Sequence, residues 1–251
     1  MDLKKIDYAI NISLKNRYIY VETPKVACSS VKDLLIRIEY IDTPYKRNFD
    51  VHDRQRSPLV QLSQLPKHEG EGILADPTWF RFAFVRNPFS RALSGYLDKV
   101  VRNREEKRPL LNALGRNESP IETELSFVDY LKAIQLIDPR NLDSHFRPQF
   151  QILLCRDISF QYIGAFESLL EDIEYLKERL GVSATLTFES VGSHATDANL
   201  LLDEYYSSEA IALVRKIYFV DFKYFGYQKP ITQVAAPPSR RSWAIGEINA
   251  A

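Results

Sequence analysis

The chain has 251 residues, 45% hydrophobic and 26% charged, which suits a soluble globular protein and fits one ordinary α/β domain or two very small ones. Lys+Arg and Asp+Glu balance at 33 each, so net charge gives no global pull toward nucleic acid or an anionic membrane, and any anion binding must be local. Two cysteines, Cys28 and Cys155, are too few for a disulfide framework and read as reduced, packed thiols. The stretch up to Glu22 lacks the apolar core of a signal peptide or membrane anchor, so the expectation is a soluble cytoplasmic protein with no transmembrane segment.

Arg17–Glu22 (RYIYVE) is β-branched and aromatic and reads as a strand. After Thr23-Pro24 a short polar loop enters a helix in which Val31, Leu34, Leu35, Ile38 and Ile41 keep helical spacing, with Ser30 as its predicted cap and Asp33 at the capping-box position. The pattern repeats. Trp79–Val85 (WFRFAFV) reads as a strand, Asn87 as a helix cap and Pro88 as the first helical residue. The next helix carries Phe89, Leu93, Tyr96, Leu97 and Val100 on one face. Further on, Ser126 caps a helix through Ile137, Tyr162–Phe166 reads as a short strand, and Leu169–Leu180 is a helix ending at Gly181. A last helix starts near Ser208 and runs through AIALVRKIYF. Alternating strands and helices predict an α/β fold, with a mainly parallel sheet covered by helices on both faces. Residues 1–230 read as one domain and 231–251 as a mobile tail. Arg102–Glu122 reads as an irregular loop, broken by Pro109 and Gly115.

In open α/β sheets, ligands bind beyond the C-terminal ends of the strands. Thr23 to Ser30 (TPKVACSS) occupies such a position. A tight loop opening a helix presents unpaired N–H groups and the positive end of the helix dipole, here from Val26, Ala27 and Cys28 onward. Ser29 and Ser30 add hydroxyls and Lys25 a full charge, which together suit a phosphate. The loop is not a Walker A motif, because its lysine precedes the turn, and that argues against an ATP kinase. A capped helix after an ordinary βα turn accounts for this segment alone equally well. A second candidate follows the second strand: Arg86 at the strand end and Ser94 two helical turns on can hold a separate phosphate.

PKVACSSVK resembles the 5′-phosphosulfate loop of the carbohydrate sulfotransferases, particularly the chondroitin, dermatan and HNK-1 branch. FVRNPFSRALSGY is similar to that family's 3′-phosphate motif, R-x-P-x-x-R-x-x-S-x-Y. His145 to Gln149 with Cys155 resembles its H-W-x-P segment, and Tyr162 to Glu167 its F-[IV]-G-K-[FY]-E stretch, with Ala165 where the family has lysine. Asp221 to Tyr227 resembles its closing segment. The likeness runs from about Arg17 to Tyr227. It implies a P-loop-like three-layer fold that binds 3′-phosphoadenosine-5′-phosphosulfate (PAPS) and transfers the sulfuryl group to a hydroxyl, usually on a sugar. Without the anchor and most of the cysteines of several animal relatives, a soluble bacterial-type enzyme is expected.

Within that reading Lys25 neutralises charge between the 5′-phosphate and the leaving group, the loop N–H groups with Ser29 and Ser30 hold the 5′-phosphate, and Arg86 and Ser94 hold the 3′-phosphate. A histidine suits the general base. His145 and His52 remain alternatives for it, while His68 and His194 read as solvated. The scattered His and Cys residues have no metal-ligand spacing, and no metal is expected. Arg102, Arg104, Lys107, Arg108 and Arg116 make a basic-leaning loop that can meet an anionic glycan or simply be solvated. The acceptor stays open between a sugar and a lipid or metabolite hydroxyl. A nucleotide-binding module without catalysis is the third reading, and Lys25, Arg86 and Ser94 argue against it.

Overall fold

A computed structural model describes residues 7–104, 106–182, 186–191, 198–227 and 230–234. His194 and all but the first four residues of the 231–251 tail lie outside the described residues. The chain divides into two compact units, one drawn from 1–85 and 153–193, the other from 86–152 and 194–240.

The first unit holds the sheet: β1 (Ile10–Ser13), β2 (Tyr18–Val21), β3 (Phe80–Val85) and β4 (Tyr162–Ala165), in that spatial order. β2, β3 and β4 are parallel neighbours, and β1 is an antiparallel edge strand against β2. The fold is therefore mixed α/β with a mostly parallel sheet. Every residue of the four strands is buried, so both faces are covered, and the parallel strands β2, β3 and β4 read as near-continuous apolar runs.

The period of two places Tyr18 and Tyr20 on one face with Phe80, Phe82 and Phe84. Register sets Tyr18 beside Phe80 and Tyr20 beside Phe82, and the Tyr20 and Phe82 rings stack at 5.2 Å. Against this aromatic face pack Val31, Leu34, Leu35 and Ile38 of helix α1 (Cys28–Glu39), together with Ile173 and Leu176 from a helix later in the chain. Helix α2 (Lys67–Ala75) lies between β2 and β3 in the chain.

β1 was not predicted. Its four residues include Asn11, whose polarity suggests a loop, but Asn11 is fully buried and its amide donates to Ala9 O (3.0 Å) and Tyr20 O (3.3 Å). The cap of α1 also departs from expectation. Ala27, not Ser30, precedes the helix, and its left-handed backbone (φ 63°) turns the chain in one residue with no side-chain cap. Ser30 lies inside the first turn and accepts the Val191 N–H at 2.9 Å, while Asp33 pairs with Arg37 and Arg47.

The second unit is helical: α3 (Pro88–Tyr96), which widens into a π-helical turn over Leu97–Arg102, then α4 (Lys107–Ala113), α5 (Phe127–Leu136) and α6 (Gln149–Ile152). Helix α7 (Leu169–Arg179) belongs to the first unit and supplies Ile173 and Leu176 to its core. The second unit resumes with α8 (Leu202–Tyr205), α9 (Ser208–Ile217) and α10 (Phe219–Phe225).

Asn87 caps α3 by accepting the Phe89 N–H at 3.0 Å, and Ser126 caps α5 by accepting that of Asp129 at 3.1 Å, both as predicted. Arg102–Glu122 is not one irregular loop: α4 interrupts it, because Leu110 and Leu111 give it an apolar face that is buried. The single last helix is two, α9 and α10, and the second ends at Gly226 in the left-handed conformation (φ 74°).

Candidate functional site

The first anion loop leaves β2 at its C-terminal edge. Lys25 and Ala27 both have left-handed backbone, with φ of 69° and 63°. Each costs about 1–2 kcal/mol for a residue with a Cβ, and such strain concentrates where the chain's path matters for binding. Ala27 leads directly into the first turn of α1, so successive N–H groups from Cys28 onward converge without helical acceptors.

Two hydroxyls complete the loop. Ser30 Oγ already accepts from Val191, which leaves its O–H to donate. Ser29 Oγ lies 2.9 Å from His52 Nε2. The Cys28 thiol is pushed up to about 11, by burial and then by Glu22, so it stays protonated and is no nucleophile.

The tautomer of His52 follows from its neighbours. Lys32 Nζ lies 2.7 Å from His52 Nδ1, and an ammonium can only donate. Nδ1 is therefore the acceptor, and in the neutral ring Nε2 carries the proton and donates to Ser29. Lys32 is fully buried and paired with buried Glu22 at 2.9 Å. Burial, and then the Lys32 charge, hold the His52 pKa below its ordinary value, so the neutral ring is favoured.

The second anion motif belongs to the helical unit. Arg86 is 6% exposed and Ser94 2%. Arg86 Nε donates to Ser90 Oγ at 2.9 Å, and one of its Nη atoms donates to Asn199 Oδ1 at 3.3 Å. Ser90, absent from the sequence reading, thus fixes the base of the guanidinium, with Ser94 one turn beyond it on α3.

In the same unit His145 is held by Asp143. The carboxylate accepts the His145 N–H at 2.8 Å, and the same Oδ1 stands 2.6 Å from Nδ1. Burial pushes the Asp143 pKa up, but the hydrogen bonds from the His145 ring and from the His145 and Ser144 amides outweigh it and hold the carboxyl below its ordinary value. An ionised carboxylate is acceptor-only, so in the neutral ring Nδ1 carries the proton and Nε2 keeps its lone pair. The two candidate histidines are thus held in opposite tautomers.

The segment around His145 is clamped from α3. Arg91 is fully buried, and its guanidinium donates to the carbonyls of Ser144 (3.0 Å) and Arg147 (2.9 Å). Tyr218 Oη donates to Phe146 O at 2.8 Å. A Cβ at Gly95 would stand 3.2 Å from the His145 carbonyl, so only a residue without one fits this approach freely.

The basic loop does not stay open as a set. Lys107 is buried, Arg108 donates to the carbonyls of Asn117 and Ser119, and Arg116 pairs with Asp129 at 3.0 Å. The guanidinium groups of Arg108 and Arg116 are thus engaged within the unit. Among the described residues, no helix is long and apolar enough to cross a membrane, and no three His, Cys, Asp or Glu side chains gather as metal ligands.

A strained loop opening a helix after one strand and a buried arginine after the next are the features on which the expectation of anion binding rests. The chain matches the sulfotransferase family over residues 8–228 and belongs to it. Among curated relatives it is 26% identical to carbohydrate sulfotransferase 14 of Danio rerio, over 89% of this chain and 63% of that protein. It is 28% identical to carbohydrate sulfotransferase 10 of Homo sapiens, over 86% of this chain and 66% of that one. The chain therefore spans just under two thirds of the length of these relatives. No solved structure matches it.

Proposed function

We propose that this chain transfers the sulfuryl group of PAPS to a carbohydrate hydroxyl. The observation that carries the reading is the loop from Thr23 to Ser30, strained at Lys25 and Ala27 and lined with donors, in a chain of the sulfotransferase family. The loop N–H groups, Ser29 and Ser30 hold the 5′-phosphate, and Lys25 neutralises the phosphate oxygen that departs. Arg86 and Ser94 take the 3′-phosphate and so favour PAPS over ADP. The sugar acceptor draws its support from the carbohydrate sulfotransferases among the relatives.

In the step itself the acceptor oxygen forms a bond to sulfur while the bond from sulfur to the phosphate oxygen breaks. The hydroxyl proton passes to a base and 3′-phosphoadenosine-5′-phosphate (PAP) leaves. His145 is the base in this reading, because Asp143 on Nδ1 leaves Nε2 able to accept a proton. His52, protonated on Nε2 by the same logic, serves instead as a donor that orients Ser29.

The test is transfer of radiolabelled sulfate from PAPS to a panel of glycans and non-sugar alcohols. Turnover on a glycan is expected, reduced about 10²–10⁴-fold in His145→Ala. Transfer only to non-sugar alcohols would overturn the acceptor assignment. Loss of turnover in His52→Ala with His145→Ala active would move the base to His52.

The proposal further takes residues 1–230 as one catalytic domain and the protein as a soluble, cytoplasmic, bacterial-type enzyme. Its two cysteines are free thiols, as suits a reducing compartment. Fractionation of the source cells tests this placement: recovery in a membrane or secreted fraction would refute it.

A further inference from the structure

β3 ends its ladder at Val85, paired with Ala165 on β4, so the peptide groups of Arg86 lie one residue past the last strand partner. The side chain of Gln149 supplies what a strand would. Its Oε1 accepts the Arg86 N–H at 2.9 Å, and its Nε2 donates to the Arg86 carbonyl at 2.8 Å. One edge of a primary amide presents an N–H donor beside a carbonyl acceptor in a plane, the pairing a neighbouring strand would offer. Gln149 is fully buried, and so is the group that holds it. The Asp221 carboxylate accepts the N–H of Gln149 at 2.8 Å and of Phe150 at 2.9 Å, satisfying the first turn of α6. Three segments far apart in sequence are thereby joined in one chain of hydrogen bonds, from Asp221 through Gln149 to Arg86.

We infer that Gln149, braced by Asp221, is a positioning residue that sets Arg86 for the 3′-phosphate of the donor. The inference rests on the donor reading above and adds two residues to it. Gln149 bonds both the N–H and the carbonyl of Arg86, so it acts by fixing where the guanidinium starts. Ser90 Oγ on Nε and Asn199 on an Nη atom then fix how that group projects. With main chain and side chain both pinned, the arginine meets the phosphate without reorganising, which is how a preorganised site gains affinity. The brace acts on Arg86, so its effect is expected at the 3′-phosphate and not on the rest of the nucleotide.

The experiment compares PAP with ADP, which lacks the 3′-phosphate, by calorimetric titration of the full chain and of Gln149→Leu and Asp221→Asn. Tyr130→Phe is the control: it removes a buried hydrogen bond from Tyr130 Oη to Ala92 O in the same unit without touching Arg86. The preference of the wild type for PAP is expected to fall about 10–100-fold in Gln149→Leu, the equivalent of one charge-assisted contact. ADP affinity should be unchanged in Gln149→Leu, and both affinities unchanged in Tyr130→Phe. If Gln149→Leu does not fold, Gln149→Glu, which keeps the acceptor and loses the donor, is read the same way and should fall part of the distance. A folded Gln149 variant that keeps the full PAP preference, or that loses PAP and ADP alike, overturns the inference. A wild type that binds PAP and ADP equally instead removes the donor reading beneath it.

Discussion

Lys32 and His52 are hydrogen-bonded at 2.7 Å between Nζ and Nδ1, and this one contact decides which ring nitrogen of His52 holds the proton. Asp143 makes the opposite choice for His145. Long-range ¹H–¹⁵N correlation at neutral pH is expected to show His52 protonated on Nε2 and His145 on Nδ1. Asp143→Asn should leave donor binding intact and lower kcat, since it removes the group that fixes the His145 tautomer. The same tautomer on both rings would contradict this assignment of roles.

The Lys32–Glu22 pair is buried on both sides, with the two side chains 1% and 5% exposed. Breaking such a pair strands a charge, at a cost of about 3–5 kcal/mol, whereas replacing both partners restores much of it. Lys32→Met is expected to lower stability by that amount in denaturant titration. The double variant Glu22→Gln with Lys32→Met should recover most of the loss. Equal losses in the single and double variants would show that the two charges are not coupled.

Gly164 sits on β4 against the ring of Phe84. An added Cβ would meet ring carbons at 2.5 and 2.7 Å and Asp172 Cβ at 3.2 Å. Gly164→Ala should therefore destabilise by about 1–3 kcal/mol through overpacking. The larger effect of the same substitution should be at Gly164 and not at Gly72, where nothing stands within 4 Å. Thermal melts of the two variants check the order.

Much of this was legible in the sequence, and the gaps have physical causes. The two strand–loop–helix units showed themselves through aromatic strands, helical spacing and the caps Asn87 and Ser126, all local signals. Lys25, Arg86 and the serines stood out as candidates because anion binding at a strand end needs those residue types. Lys32, Gln149 and Asp221 were not, because each is defined by a partner 20, 63 or 72 residues away. Ser30 was misread as a cap because a serine before an apolar run is the usual signal, and an αL alanine leaves none. Asp143 could have been found: an aspartate two residues before a histidine can turn back on its amide, as it does here.

Asp221 gives a pH signature. Burial pushes its pKa up to about 6 from an ordinary 3.8, against the hydrogen bonds from Phe150 and Gln149 and the charge of Arg91. Between those values the native state binds a proton that the unfolded chain releases, so stability from this group is full below about pH 4 and lost as pH rises through 6. Melting temperatures of wild type and Asp221→Asn, taken from pH 7 to pH 5, should diverge in favour of wild type on acidification. A gap that stays constant or closes would show that Asp221 does not titrate in this range.

The central claim is that this chain recognises the 3′-phosphate of a PAPS-type nucleotide through Arg86, and a thermal melt with PAP, with ADP and with neither tests it most directly. At a hundredfold excess over its dissociation constant PAP is expected to raise the Tm by roughly 5–10 °C. ADP at the same concentration should do much less, and Arg86→Ala should lose the difference. Equal shifts with PAP and ADP, or a PAP preference that survives Arg86→Ala, would contradict the account.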